Sequence, residues 1–153
     1  MASDATHVFR GSVFVEAPPE EVFVYFTDPE ALASWMGDRA VLDPRPEGGF
    51  VLHIGDRVVE GRYEVVDFPR RVVLRWGRRG SVRLPPASST LEVTFVAEGS
   101  GTRVTVSHDG LPALEREIHA RGWAHYLARL VTVASGGVVP VHAVPLRLSR
   151  DAD

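Results

Sequence analysis

The sequence predicts an α+β fold in which a curved antiparallel sheet wraps around one long C-terminal helix, with two short helices inserted after the first strand. Three observations predict it. Residues 40–108 run as one strand-like segment after another, separated by short turns that carry Gly or Pro. Over residues 111–135 the apolar period lengthens to that of a helix. A lone amphipathic helix after such a sheet must bury its apolar side in the sheet's concave face, because the chain offers nothing else to cover it.

The elements follow in order. "HVFRGSVFVEA" (7–17) alternates and is rich in Val and Phe, so it reads as a strand with Phe9, Val13 and Val15 on one face. In "PPEEVFVYFTD" the opening prolines and the first-turn acids Glu20 and Glu21 favour a short helix. "DPEALASW" starts a second one, with Asp28 as N-cap and Pro29 at the first helical position. Strands are then expected at 39–42, 50–54, 57–67, 71–76, 89–96 and 102–108. Connections this short pair neighbouring strands antiparallel, as a meander.

Around an ideal helix, His119, Ala120, Trp123, Leu127, Leu130, Val131 and Ala134 share one stripe, with Tyr126 at its margin and Glu117, Arg121, His125 and Arg129 opposite. Gly122 is a candidate break or late start for this helix. Gly136 and Gly137 end it in the usual way. The tail, 137–153, is broken by prolines and is expected to be extended or loose.

Composition bounds the function. The 153 residues are expected to form a single domain with its core at about 7–136, large enough to bury about two-thirds of the unfolded chain's surface. There is no cysteine, which excludes thiol catalysis, disulfides and thiolate metal sites. The net charge of −3 gives no general attraction to nucleic acid or to acidic membranes. No apolar run reaches the roughly 20 residues of a membrane span, so a cytoplasmic protein is expected. All 17 basic residues are Arg, which suggests a GC-rich bacterial genome. His7, His53, His108, His119, His125 and His142 have no ligand-like spacing, so neither a metal nor another cofactor is expected. No nucleophile elbow or dinucleotide loop occurs.

Four stretches in order, "APPEEVFVYFTDPEALASWMG" (17–37), "GRYEVVDFPRRVVLRW" (61–76), "TRVTVSHDGL" (102–111) and "GWAHYLARL" (122–130), resemble the helix-grip superfamily of START domains, the birch-pollen-allergen fold and polyketide cyclases. More narrowly, the chain resembles the family named after the activator of heat-shock-protein-90 ATPase. The resemblance implies a helix-grip fold with a cavity between sheet and long helix.

Within that cavity, alternation turns Leu52, Gly61, Tyr63, Leu74, Trp76, Val93, Val106 and His108 inward, and the helix contributes His119, Trp123 and Leu127. Trp35 and Met36 close one end. The tryptophans and Tyr63 offer flat faces to a small apolar or aromatic ligand, with Gly61 and Gly122 removing bulk where space is needed. Such a pocket usually measures roughly 300 Å³ or more.

The leading expectation is therefore a non-enzymatic protein that binds a small apolar or aromatic molecule. An alternative is a polyketide cyclase or dehydratase that uses the same cavity, with His108 and Tyr63 as acid and base. A third is an interaction module, contacting a chaperone or another protein through the Arg78/Arg79 loop. Either a monomer or a homodimer fits, since edge strands invite pairing.

Overall fold

The computed structural model describes residues 8–136. The first strand, β1 (Val8–Val15), leads into α1 (Pro19–Phe23), a short 3-10 turn (Val24–Phe26) and α2 (Pro29–Ala33). Then come β2 (Arg39–Leu42), β3 (Gly49–Ile54), β4 (Arg57–Asp67), β5 (Arg71–Trp76), β6 (Ser89–Glu98), β7 (Gly101–Asp109) and α3 (Ala113–Ala134). The seven strands form one antiparallel sheet in the order β1-β7-β6-β5-β4-β3-β2, so a meander is closed at one side by the first strand lying against the last. With the long helix in its concave face, this is the α+β helix-grip architecture.

Local chemistry sets the boundaries. The Asp28 carboxylate accepts a 3.0 Å hydrogen bond from the Ala31 N–H and so caps α2. Ile54 pairs with Arg57, and Glu98 with Gly101, leaving two-residue turns that open on Gly55 (φ +59°) and Gly99 (φ +59°), the positive φ that tight hairpins require. The helix α3 begins after Pro112 and runs unbroken for 22 residues to Ala134, followed by Gly136 at φ +96°. Gly122 does not interrupt it. The His7, His142 and 137–153 expectations lie outside the described residues.

Two details set the shape of the interior. A Cβ at Gly61 would sit 1.7 Å from the Arg75 carbonyl oxygen, so this glycine allows β4 and β5 to approach closely. It is a requirement of the sheet, not of a ligand. The long connection 77–88 is also no free loop. It runs alongside the start of β4, with Arg79 N–H to Val58 O and Ala87 N–H to Glu60 O, and it buries Leu84.

The alternation read from the sequence holds on β3, β6 and β7, while on β4 an irregularity between Tyr63 and Val65 shifts it and Val66 packs against the core. Phe50, Leu52 and Ile54, then Leu91, Val93 and Phe95, then Val104, Val106 and His108 are all buried. They meet Trp123, Tyr126, Leu127 and Leu130 of α3 in one core. Burial of this face, at roughly 25 cal/mol per Å² of apolar surface, is what holds the helix in the grip. No helix among the described residues is long and apolar enough to cross a membrane.

Candidate functional site

The centre of the interface between sheet and helix is a hydrogen-bonded aromatic cluster. The Trp123 Nε1–H donates to His108 Nδ1 at 3.1 Å, so His108 carries its proton on Nε2 and donates it to Ser89 Oγ at 2.9 Å. Ser89 in turn donates to the Trp76 carbonyl at 2.7 Å. Burial, and then the neighbouring His119, push the His108 pKa well below 6.5, while Glu115 acts in the opposite sense. The ring is a neutral core group with both nitrogens engaged.

His119 is tied in the same way. Its Nε2 accepts from the Trp76 indole at 3.3 Å, which leaves Nδ1 to donate to the Glu115 carbonyl at 3.0 Å, with the Glu115 carboxylate 3.3 Å away. The rings of His108 and His119 meet edge to face at 5.1 Å.

Glu115 is fully buried and anchors a network that the sequence reading missed. Arg78 grips it with both terminal nitrogens, at 3.0 and 2.9 Å, and Arg83 adds a 2.9 Å contact. Burial alone would raise this carboxyl's pKa. Hydrogen bonds from His119 and Arg78, with the Arg78 charge, outweigh that and hold it well below the usual carboxylate range. Glu115 lies four residues before His119, the spacing that puts both on one helix face, and that was the available signal.

This corrects the picture of Arg78 as a contact for another protein. Its guanidinium is buried against Glu115 because a desolvated carboxylate needs a bidentate partner. Arg79 remains half-exposed, 2.8 Å from Glu60.

The aromatic wall is likewise mostly core. The Tyr63 hydroxyl donates to the Phe26 carbonyl at 2.9 Å, and the Trp35 indole donates to the Tyr25 carbonyl at 3.0 Å. Burial, with the Asp43 charge adding to it, raises the Tyr63 pKa far above the ordinary phenol value. Neither residue faces open space.

A cavity of about 40 Å³, open to solvent on one side, lies between sheet and helix. It is lined by Met36, Ile54, Arg57, Val59, Trp76, Arg78, His119, Gly122, Trp123 and Tyr126. At roughly 10–15 Å³ for each water, it has room for about three water molecules. The expected pocket of roughly 300 Å³ is not present, because side chains that were expected to line it have packed against one another. Leu52, Leu74, Val93, Val106 and Leu127 belong to that packed interior.

Four of the anticipated lining residues do border the cavity: Met36, Trp76, His119 and Trp123. Gly122, anticipated as a source of space, borders it as well. Ile54, Val59 and Tyr126 were missed. The first two continue the alternation of Leu52 and Gly61, and Tyr126 lies three residues after Trp123. His125, expected in solvent, is half-buried with its ring 5.0 Å from that of Tyr126. Outside the cavity mouth a polar groove of about 360 Å³ runs between Asp56–Val58 and Arg78–Ser81. No group of three or more acidic or His residues among the described ones is placed to hold a metal.

Comparison with known proteins agrees with this architecture. Residues 16–135 match the family described as Activator of Hsp90 ATPase homolog 1-like protein. An AHSA1-like protein of Rhizobium etli, solved in solution, is 36% identical, with a TM-score of 0.68 over 95% of this chain and 93% of that one. CalU16 of Micromonospora echinospora, also solved in solution, is 25% identical with a TM-score of 0.74, over 89% of this chain and 71% of that one. The human activator of 90 kDa heat shock protein ATPase homolog 1 is 27% identical over 109 residues, 71% of this chain. The chain spans only 31% to 35% of the length of the curated relatives it matches.

Proposed function

The chain belongs to the activator of Hsp90 ATPase homologue 1-like family, and from that premise we propose that it is a non-enzymatic binding protein whose ligand is a small apolar molecule held between the sheet and α3. The observation that carries this reading is the open-mouthed cavity at Gly122, walled by Met36, Ile54, Val59 and Trp123. A helical glycine costs about 1 kcal/mol relative to alanine. Here it borders the cavity.

The size of the cavity restricts the ligand. With room for about three waters it does not enclose a whole ring, whereas the end of a longer apolar chain entering through the mouth fits. The cyclase or dehydratase alternative has less support, because it needs an interior group free to move a proton. Both His108 nitrogens and the Tyr63 hydroxyl are already bonded to the protein.

Native mass spectra of gently purified protein, beside denatured spectra, test the reading. An added mass that disappears on denaturation is expected, and Gly122→Ala should reduce it. A clean mass in both, together with no change on soaking the protein with small apolar probes, would overturn it.

A second reading has one observation in its favour. Val82 and Leu114 are 81% and 66% exposed, and they flank Arg83 and Glu115 in sequence. Large apolar side chains beside arginines suit a protein partner, and an Hsp90-type chaperone is the partner that the human relative's name suggests. This reading predicts capture of Hsp90 that weakens with salt and with Arg79→Ala. Capture unchanged by both would count against it.

A further inference from the structure

The cavity does not end at its mouth. Arg57 and Arg78 line both the cavity and the polar groove outside it, so the two form one recess with an apolar inner part and a polar outer part. The inner part is walled by Met36, Ile54, Val59 and Trp123. The outer part lies between Asp56–Val58 and Arg78–Ser81, and of its four charged lining residues three are arginines. Its two banks are held together by the Arg79 N–H to Val58 O hydrogen bond and by a bridge between Val59 and Arg78, so the recess is a fixed feature of the sheet.

The outer part is supplied with donors that the protein does not use. Arg79 gives its Nε–H to Glu60 at 2.8 Å, and its two terminal nitrogens meet no acceptor among the described residues. The Gly80 N–H has no acceptor among them either. Gly80 turns the chain at φ +79°, and a Cβ on it would meet nothing within 4 Å, so this corner of the groove is open. The Ser81 hydroxyl accepts from the Leu84 N–H at 2.8 Å, and its own proton has no described acceptor. Three donors on consecutive residues, one of them a guanidinium, suit a group that only accepts and carries negative charge. Asp56 on the opposite bank favours the single charge of a carboxylate over the double charge of a phosphate. An anion placed here keeps part of its hydration, whereas against the apolar inner wall it would lose it.

We infer that the ligand is a monocarboxylate with an unbranched apolar chain, whose carboxylate sits in the groove on Arg79, Gly80 and Ser81 and whose chain end enters the cavity. The inference rests on the cavity-binding reading and supplies the ligand's polar end. A methylene takes about the room of one water, so about three carbons reach the inner part, and the rest of the chain passes Arg57 and Arg78 on its way to the carboxylate.

Hexanoate, hexanamide and acetate test the inference: the first has both parts, the second replaces the charge by a neutral head of the same shape, and the third has the head alone. Each is titrated at neutral pH into the ¹⁵N-labelled full chain while the indole N–H signals of Trp76 and Trp123, at the cavity wall, and the amide signal of Gly80, in the groove, are followed. Hexanoate should move all three signals along one binding curve and bind about tenfold more tightly than hexanamide, the value of a hydrogen-bonded charge in a half-open site. Acetate, at the concentration that saturates hexanoate, should move none of them. Arg79→Gln should abolish the preference for hexanoate, and Asp56→Asn should raise it about threefold, a gain that no loss of structure can imitate. Equal binding of hexanoate and hexanamide by the wild type would overturn the inference while leaving the cavity reading intact. So would a preference that survives Arg79→Gln or that Asp56→Asn leaves unchanged. Failure of both six-carbon probes to move either indole signal would overturn both readings.

Discussion

The guanidinium of Arg78 and the carboxylate of Glu115 meet in a two-pronged ion pair, 3.0 and 2.9 Å long, with neither side chain more than 7% exposed. It joins the connection 77–88 to the first turn of α3. Removing one partner of a buried pair costs about 3–5 kcal/mol when the other charge is left alone, and here Arg83, 2.9 Å from the same carboxylate, sets that figure as an upper bound. Arg78→Ala should therefore lose stability up to that figure in urea titrations. Arg79→Ala, whose partner Glu60 is on the surface, should lose no more than about 1 kcal/mol. Equal effects for the two variants would refute the assignment.

His108 gives the protein a pH dependence of definite sign. The folded ring takes up its proton only well below 6.5, whereas the unfolded ring does so near 6.5. The unfolded state thus binds more protons as the pH falls below that value, and stability falls by up to about 1.4 kcal/mol per pH unit from this ring alone. Above 6.5 this ring adds no slope. Urea titrations between pH 5.5 and 8 measure the effect, and His108→Gln should make the acid limb shallower.

Tyr63→Phe should cost about 1–2 kcal/mol, because it leaves the buried Phe26 carbonyl without its donor. The added mass in native spectra should be unaffected. A loss of ligand response with unchanged stability would return Tyr63 to the cavity wall.

The two interior glycines should respond in opposite ways. Gly61→Ala drives a methyl into the Arg75 carbonyl oxygen and should leave little folded protein, visible as a collapsed amide spectrum. Gly122→Ala should keep the fold, since alanine is the better helix former, and should lose ligand occupancy. Retention of the fold in Gly61→Ala would show that β4 and β5 can move apart.

Nearly the whole fold was legible in the sequence. Alternation on β3, β6 and β7 and the helical period after Pro112 are periodic signals carried by many residues, and several boundaries have their own marker, such as Asp28 or Gly99. The site was legible in part. His108 and His119 were recognisable as interior, but whether an interior polar group is free depends on partners far away in sequence, such as Ser89 for His108. Glu115 carries no mark of its own in the sequence, because Arg78, the partner that defines it, lies 37 residues away. The volume of the cavity was not legible at all, since it is the small difference between a large enclosed space and the side chains that fill it.

The pairing of β1 with β7 has a further consequence, for how the protein is made. Val8 lies beside Asp109 and Val15 beside Thr102, and among the described residues no other strand borders β1. On a ribosome, which releases the N-terminus first, β1 must wait without a partner while the six later strands are synthesised. Until β7 emerges, Phe9, Val13 and Val15 are open to chaperones and to neighbouring chains. The strand most in need of protection during synthesis is therefore the first, while the cavity wall on α3 is the last of the described elements to be completed.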